Sequence, residues 1–313
     1  MEWLDSGAPM PAHLRGAIMA LGNFDGFHLG HQAVIGHAIA RARAEGRPAI
    51  VATFDPHPIH MFRPDAPPFR LTTLNQRARL FAAAGADAVL VFSFTPELAA
   101  MSAPDFVRFL AQDLGAAGVV TGQDFTFGKG RSGDARLLAE LGAGLGMVAD
   151  AVPPITDATG AIISSTRIRD ALKAGDCAAA ARLLTRPFAI EGDVRHGDKL
   201  GRTIGFPTAN IDLCDYVRPA YGIYAVRGVL PDGRVLDGAA NLGIRPSFDP
   251  PKELLEPHFF DFAENLYGQC IEVQLVAYLR PEAKYEGLEA LTAQIAKDCD
   301  QARQILAASP RVA

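Results

Sequence analysis

Of the residues able to do chemistry, His28 and His31 stand out by their spacing, three apart at the end of GNFDGFHLGH, Gly22 to His31. Both imidazoles share one face of any helix that begins there. A helix start also offers unpaired backbone N–H groups and a partial positive charge. Gly22, Gly26 and Gly30 let the backbone approach a ligand closely. This makes an anion site fit for a triphosphate, with Gly22, Asn23, Phe24 and Asp25 at its edge. Two imidazoles aimed at an α-phosphate and the departing pyrophosphate stabilise charge that develops in the transition state. Asp25 suits two roles equally, steering Mg2+ or capping a turn.

Two further clusters carry the same kind of chemistry. ISSTRIR, Ile163 to Arg169, offers the hydroxyls of Ser164, Ser165 and Thr166 and then Arg167 and Arg169, just ahead of the helical pattern IRDALKAG. Hydroxyl donors, a helix start and a guanidinium suit pyrophosphate. In the second half, Gly197, Gly201 and Gly205 punctuate GDKLGRTIGFPTANI. That loop can cradle phosphates, although it lacks the GK[ST] ending of a Walker A motif. Thr208 and Asn210 are two apart and face one side of an extended segment. Their hard oxygens suit Mg2+, which keeps water and phosphate oxygens among its ligands.

Alternating patterns position these clusters. AIMALG, PAIVATF, DAVLVFSF and GVVTG read as strands, separated by helical patterns at 31–46, 74–85 and 103–115. Such alternation predicts βαβ units and a parallel sheet flanked by helices, a Rossmann-like α/β domain. Ligands bind such sheets at the carboxyl ends of the strands. Gly22–His31, Asp55–Pro58 and Gly122–Gly130 should therefore gather at one edge, with Pro56–Pro68 an irregular loop. From Phe188 the runs become short and β-like: FAIEGDVRHG, FPTANI, GIYAVRGVL, GRVLDGAANLG, PHFFDF and CIEVQLVAYLR. Pro231-Asp232-Gly233 marks a hairpin. A helical stretch, Gly287 to Ala308, follows. The second half is predicted to be a small antiparallel β-barrel closed by a C-terminal helix. The domains are 1–186 and 187–313.

The composition narrows the partners. The chain has 313 residues, 49% of them hydrophobic, and a net charge of −5. An acidic balance argues against a nucleic-acid binder. No basic n-region leads an apolar run, and no stretch of about 18 apolar residues exists, which argues against secretion and membrane spanning. Cys177, Cys214, Cys270 and Cys299 form no CxxC pair, so reduced, mostly buried thiols in a cytoplasmic protein are expected.

GNFDGFHLGH resembles the HxGH nucleotidyltransferases, and more narrowly the bacterial bifunctional riboflavin kinase/FAD synthetase family. GQDFTFGKGRSGD (Gly122–Asp134) resembles that family's loop near the flavin and nucleotide, and ISSTRIR its second phosphate motif. GRTIGF followed by Pro207-Thr208-Ala209-Asn210 resembles its kinase PTAN motif. NLGIRPSF (Asn241–Phe248) and LLEPHFFDFAENLYG (Leu254–Gly268) resemble two further kinase segments. The resemblance runs from about Ala17 to Ala308 with the motifs in order. It departs at Thr126, where arginine is frequent, at Thr185, where glycine is usual, and at Ser247, where threonine is commoner.

The resemblance implies two reactions. Riboflavin plus ATP gives FMN plus ADP; FMN plus ATP gives FAD plus pyrophosphate. In the second, the FMN phosphate attacks the α-phosphate of ATP and needs no base. His28, His31, Ser164 and Arg167 then position and neutralise charge. In the first, the ribityl hydroxyl needs a base, which the resemblance assigns to Glu256, with Glu253 as the fallback. Asp124 is expected at a flavin or nucleotide edge; Phe54, Phe62 and Phe127 suit the flavin ring, with core packing the default for any one of them. Arg280 meets a phosphate or flavin, or is an ordinary surface arginine. The implied co-reactants are ATP, Mg2+, riboflavin, FMN and FAD; self-association stays open. The competing reading is a single-activity FMN adenylyltransferase whose barrel only binds flavin or RNA.

Overall fold

The computed structural model describes residues 1–196, 205–245 and 252–310. They form two compact units, one made of 1–67 and 73–164, the other of 68–72 and 165 onward.

The first unit is built on six parallel strands: β1 (Glu2–Asp5), β2 (Ile18–Leu21), β3 (Ala49–Asp55), β4 (Ala88–Ser93), β5 (Gly118–Gly122) and β8 (Val148–Val152). Their order is β1-β4-β3-β2-β5-β8. β6 (Thr126–Phe127) and β7 (Gly133–Asp134) form a separate small hairpin. The central strands are mostly apolar because helices cover both faces. Along β2, Met19 and Leu21 enter one core with Ile50, Phe92 and Phe106, while Ile18 and Ala20 enter the other with Val51 and Phe81. Parallel pairing puts every carboxyl end on one edge. The order reverses beside β2, so the loops after β2 and β5 flank the switch point, where such sheets bind ligands.

The helices are α1 (Leu29–Glu45), α2 (Pro58–Phe62), α3 (Leu74–Ala83), α4 (Pro96–Ala100), α5 (Ala103–Arg108), α6 (Ala135–Ala143), α7 (Ser165–Lys173), α8 (Cys177–Leu184) and α9 (Leu288–Ala308). Helix α1 stops at Gly46, which takes φ 63° as a left-handed cap. The Pro56–Pro68 loop is not irregular throughout: Pro58–Phe62 winds a turn of helix, with proline at its start and the His57 ring accepting the Ile59 N–H.

In the second unit, β9 (Phe188–Asp193), β10 (Ile211–Asp212), β11 (Gly222–Val229), β12 (Val235–Arg245), β13 (Lys252–Phe259) and β14 (Cys270–Arg280) form an antiparallel sheet ordered β10-β13-β12-β11-β14-β9. The Arg195 N–H donates to the Asn210 carbonyl at 2.8 Å, bridging the two outer strands and closing the sheet into a barrel. FPTANI is a regular strand only at its end, in β10. Ala209 N–H reaches the Pro257 carbonyl at 2.9 Å, but Pro257 has no N–H to return.

Helix α9 covers one face of this sheet. Cys299, Ala302 and Leu306 pack on Ala225 and Ala239, where small side chains allow close approach. Buried Arg227, from the same face, donates to the carbonyls of Leu306, Ser309 and Pro310 and so caps the end of α9. Among the described residues no helix is long and apolar enough to cross a membrane. The cysteines are free, as expected, but only Cys177 and Cys299 are buried; Cys214 and Cys270 are exposed.

Candidate active sites

The loop from β2 into α1 has an unusual backbone. Phe24, Gly26 and Phe27 all take positive φ, 50°, 88° and 46°. Two bulky residues in the left-handed region carry strain that burial must offset. Both rings pack edge-on against Phe81, at 6.0 and 5.6 Å between centroids, and Phe24 also meets His31 at 5.4 Å.

This turn delivers His28 to the cap of α1. Its Nδ1 accepts the N–H groups of Gly30 at 3.1 Å and His31 at 3.3 Å. Two of the backbone donors expected to face a phosphate are therefore taken by the histidine itself. A nitrogen that accepts carries no proton, so the neutral ring holds its hydrogen on Nε2. The ring of His31 stacks on that of His28 at 3.6 Å and 20°, the shared face that the spacing predicts. A Cβ on Gly30 would stand 3.0 Å from the His28 ring and 3.7 Å from the Ile163 carbonyl. The glycine of HxGH thus makes room for its own cap, and Ile163, the first residue of ISSTRIR, lies beside it. Asp25 is buried and Asn23 exposed.

The other candidates of the adenylyl site divide. Ser164 precedes α7, Ser165 and Thr166 begin it, and Arg167 lies half-buried in its first turn. Arg169 is tied down, donating to the Phe69 carbonyl at 2.7 Å. Asp124 is exposed just beyond β5. Phe54 and Phe127 belong to the core, 7% and 6% exposed, with Phe54 stacked on Phe92. Their rings therefore offer a flavin little area. Phe62 stays 67% exposed.

The barrel assembles its site across strands. The pairing of β12 with β13 sets Asn241 opposite Glu256, and that of β10 with β13 sets Ile211 opposite Leu255. Continuing the second register sets Asn210 opposite Glu256 and Thr208 opposite His258. Opposed side chains share a face, so Asn210, Glu256 and Asn241 form one row, with Thr208 and His258 beside it. Asn241 Nδ2 lies 3.4 Å from a Glu256 oxygen. His258 Nδ1 is 2.8 Å from the Pro207 carbonyl, which can only accept, so that nitrogen holds the hydrogen. His258 is not among the residues expected from the motifs; it lies two residues beyond Glu256 and so on the same strand face.

Glu253 points the other way. Its carboxylate takes the Tyr221 hydroxyl and, at 2.6 Å, Arg218 Nε. Burial pushes this carboxyl up, but those two partners more than reverse the effect and hold it below the usual range. A carboxylate so engaged is a poor base. Burial and the same Glu253 push the Tyr221 hydroxyl up to about 12. Arg280 ends the Asn210–Glu256–Asn241 row through Ile223, but it is not a loose surface arginine. Both its Nε and Nη2 bind Asp298 of α9, at 2.9 and 2.5 Å. Gly205 has φ 87°; Gly197, Gly201 and Ser247 lie outside the described residues.

An FAD synthetase family model matches residues 10–167, and a riboflavin kinase model matches residues 184–306. The chain belongs to the bifunctional riboflavin kinase/FMN adenylyltransferase family. Relatives bearing that name are 41% identical in Escherichia coli (strain K12), covering 92% of each chain, and 40% identical in Pseudomonas fluorescens, covering 96% of each. The Bacillus subtilis (strain 168) member is 38% identical over 91% of each. A solved structure from Streptococcus pneumoniae, described as a macrolide-efflux protein, is 29% identical with a TM-score of 0.86, covering 97% of this chain and 99% of that one. The efflux description belongs to that protein alone.

Proposed function

We infer that this chain carries both reactions of its family: phosphorylation of riboflavin to FMN by ATP, and adenylylation of FMN to FAD with release of pyrophosphate. The observation that carries this reading is that the stacked His28–His31 pair lies in one compact unit and the Asn210–Glu256–Asn241 row in the other.

In adenylyl transfer the FMN phosphate is already an anion. His28 donates from Nε2 to a phosphoryl oxygen and His31 stacks against it. Ser164, Arg167 and the hydroxyls of Ser165 and Thr166 serve the pyrophosphate. Gly22, Asn23, Phe24 and Asp25 line the triphosphate, and Asp124 and Phe62 serve the flavin. In the kinase step Asn241 holds the Glu256 carboxylate, which takes the proton of the ribityl hydroxyl and becomes a carboxylic acid as that oxygen bonds to the γ-phosphorus of ATP and ADP leaves. Thr208 and Asn210 offer oxygen donors on the same face, and no group of three or more acidic, histidine or cysteine ligands exists among the described residues. That donor set fits Mg2+ bound largely through ATP and water. When bound, Mg2+ neutralises phosphate charge. On this reading the activities divide between residues 186 and 187, so α7 and α8 go with the first activity, although both belong to the second compact unit. The proposed setting is the cytoplasm, where ATP and reduced thiols are available.

The test is direct. The protein is incubated with riboflavin, ATP and Mg2+, and FMN and FAD are resolved by chromatography. FMN and then FAD are expected. FMN without FAD overturns the first-unit assignment; absence of FMN overturns the second.

A further inference from the structure

Behind the Gly22–His31 loop sits a charge that the chemistry above leaves unused. Arg77 of α3 is 3% exposed. Its Nη1 donates to the Asn23 carbonyl at 2.9 Å and to Thr53 Oγ1 at 2.8 Å. The Thr53 hydroxyl donates in turn to the same Asn23 carbonyl, also at 2.9 Å. Arg77 Nη2 lies 3.5 Å from Asp55. One buried guanidinium thus ties the loop after β2 to the end of β3, at the ligand edge of the sheet.

We propose that Arg77 and Thr53 are positioning residues for adenylyl transfer. They act by clamping the Asn23 carbonyl so that the following turn sets His28 at the cap of α1. The proposal rests on the adenylyl-transfer reading of that loop. The peptide plane is rigid, so fixing the Asn23 oxygen fixes the Asn23–Phe24 plane and the direction in which Phe24 leaves it. Phe24 is the first of the three residues with positive φ, and an unclamped chain relaxes toward the ordinary region. A buried arginine is costly to desolvate, and an apolar replacement of similar volume often matches or exceeds it in stability. Geometry, rather than fold stability, is therefore its contribution.

Thr53→Val keeps the side-chain shape and removes the hydroxyl. It is expected to lower kcat for FAD formation about tenfold, the loss of one buried hydrogen bond. The KM for FMN and the riboflavin kinase rate should stay within about twofold, since such a loss confined to the transition state leaves binding alone. Thr53→Ser restores the rate. Arg77→Lys, a point charge in place of a fork, lowers it like Thr53→Val. In a His28→Ala background, Thr53→Val should cost nothing further, because both act through one imidazole. Unchanged FAD formation in Thr53→Val while wild type makes FAD overturns the proposal. So does an equal fall in kinase rate, or full additivity with His28→Ala. A wild type that makes FMN but no FAD overturns the parent reading instead, and this one with it.

Discussion

The two sites solve phosphate chemistry by opposite means. The histidine pair of the first is set by a local device, a strained turn and a helix cap within ten consecutive residues, Gly22 to His31. The second is a row across a sheet, drawing Asn241 from β12, Glu256 from β13 and Asn210 from just ahead of β10. The difference follows the nucleophile. A phosphate arrives charged, so the first site needs only donors held still, and a helix start supplies a rigid frame for them. A hydroxyl must lose a proton, so the second needs a carboxylate beside its oxygen donors, and opposed strands hold such pairs at fixed spacing.

Substitution at Glu256 gives the largest expected effect. Glu256→Ala should cut FMN formation about a hundredfold to ten-thousandfold, while FAD formation from supplied FMN is unchanged. His28→Ala should reverse that pattern, lowering FAD formation about a hundredfold to a thousandfold and sparing FMN formation. Equal loss of both activities in either variant breaks the division between the sites. Two smaller tests separate stability from chemistry. Thr185 ends α8 at φ 65°, in the left-handed cap where the family favours glycine. A β-branched residue is strained there, so Thr185→Gly should stabilise by about 1 kcal/mol, read from urea unfolding, with both rates unchanged. Glu253→Gln should leave kinase turnover intact, which distinguishes it from Glu256. Because its folded carboxyl lies below the ordinary 4.5, the unfolded chain binds more protons near pH 4. Its stabilisation is present above about pH 4.5 and is lost as pH falls through the folded value. Wild type should melt about 1–4 °C above Glu253→Gln at pH 7, and the gap should close in acid.

Legibility in the sequence tracks the same contrast. The four central strands β2 to β5, α1 and the shared face of the two histidines were readable because period and spacing are local properties. The cap made by His28 Nδ1 was not, since spacing says nothing of which ring nitrogen turns toward the backbone. The Arg77–Thr53 clamp was hidden because its members lie 24 and 54 residues from their partners. In the barrel, Glu256 came from resemblance; only the register separates it from Glu253. Phe54 and Phe127 follow the core-packing default, since an aromatic residue reads alike whether it faces a ligand or a core. Arg280 misled because its partner, Asp298, lies on a helix whose docking face the sequence leaves unspecified. Edge strand β1 lacks the long apolar run that marks its neighbours.

The bridge between Arg195 and Asn210 has one more consequence. The residue whose backbone seals the staves of the barrel, Asn210, is also the one whose side-chain oxygen is proposed above for the nucleotide's metal. Any ligand gripped there acts as a hoop. Occupancy and unfolding become linked quantities, each tenfold excess of ligand over its dissociation constant adding about 1.4 kcal/mol to the folded state. The barrel is therefore its own calorimetric gauge, its melting point rising with ligand concentration even where no turnover is measured.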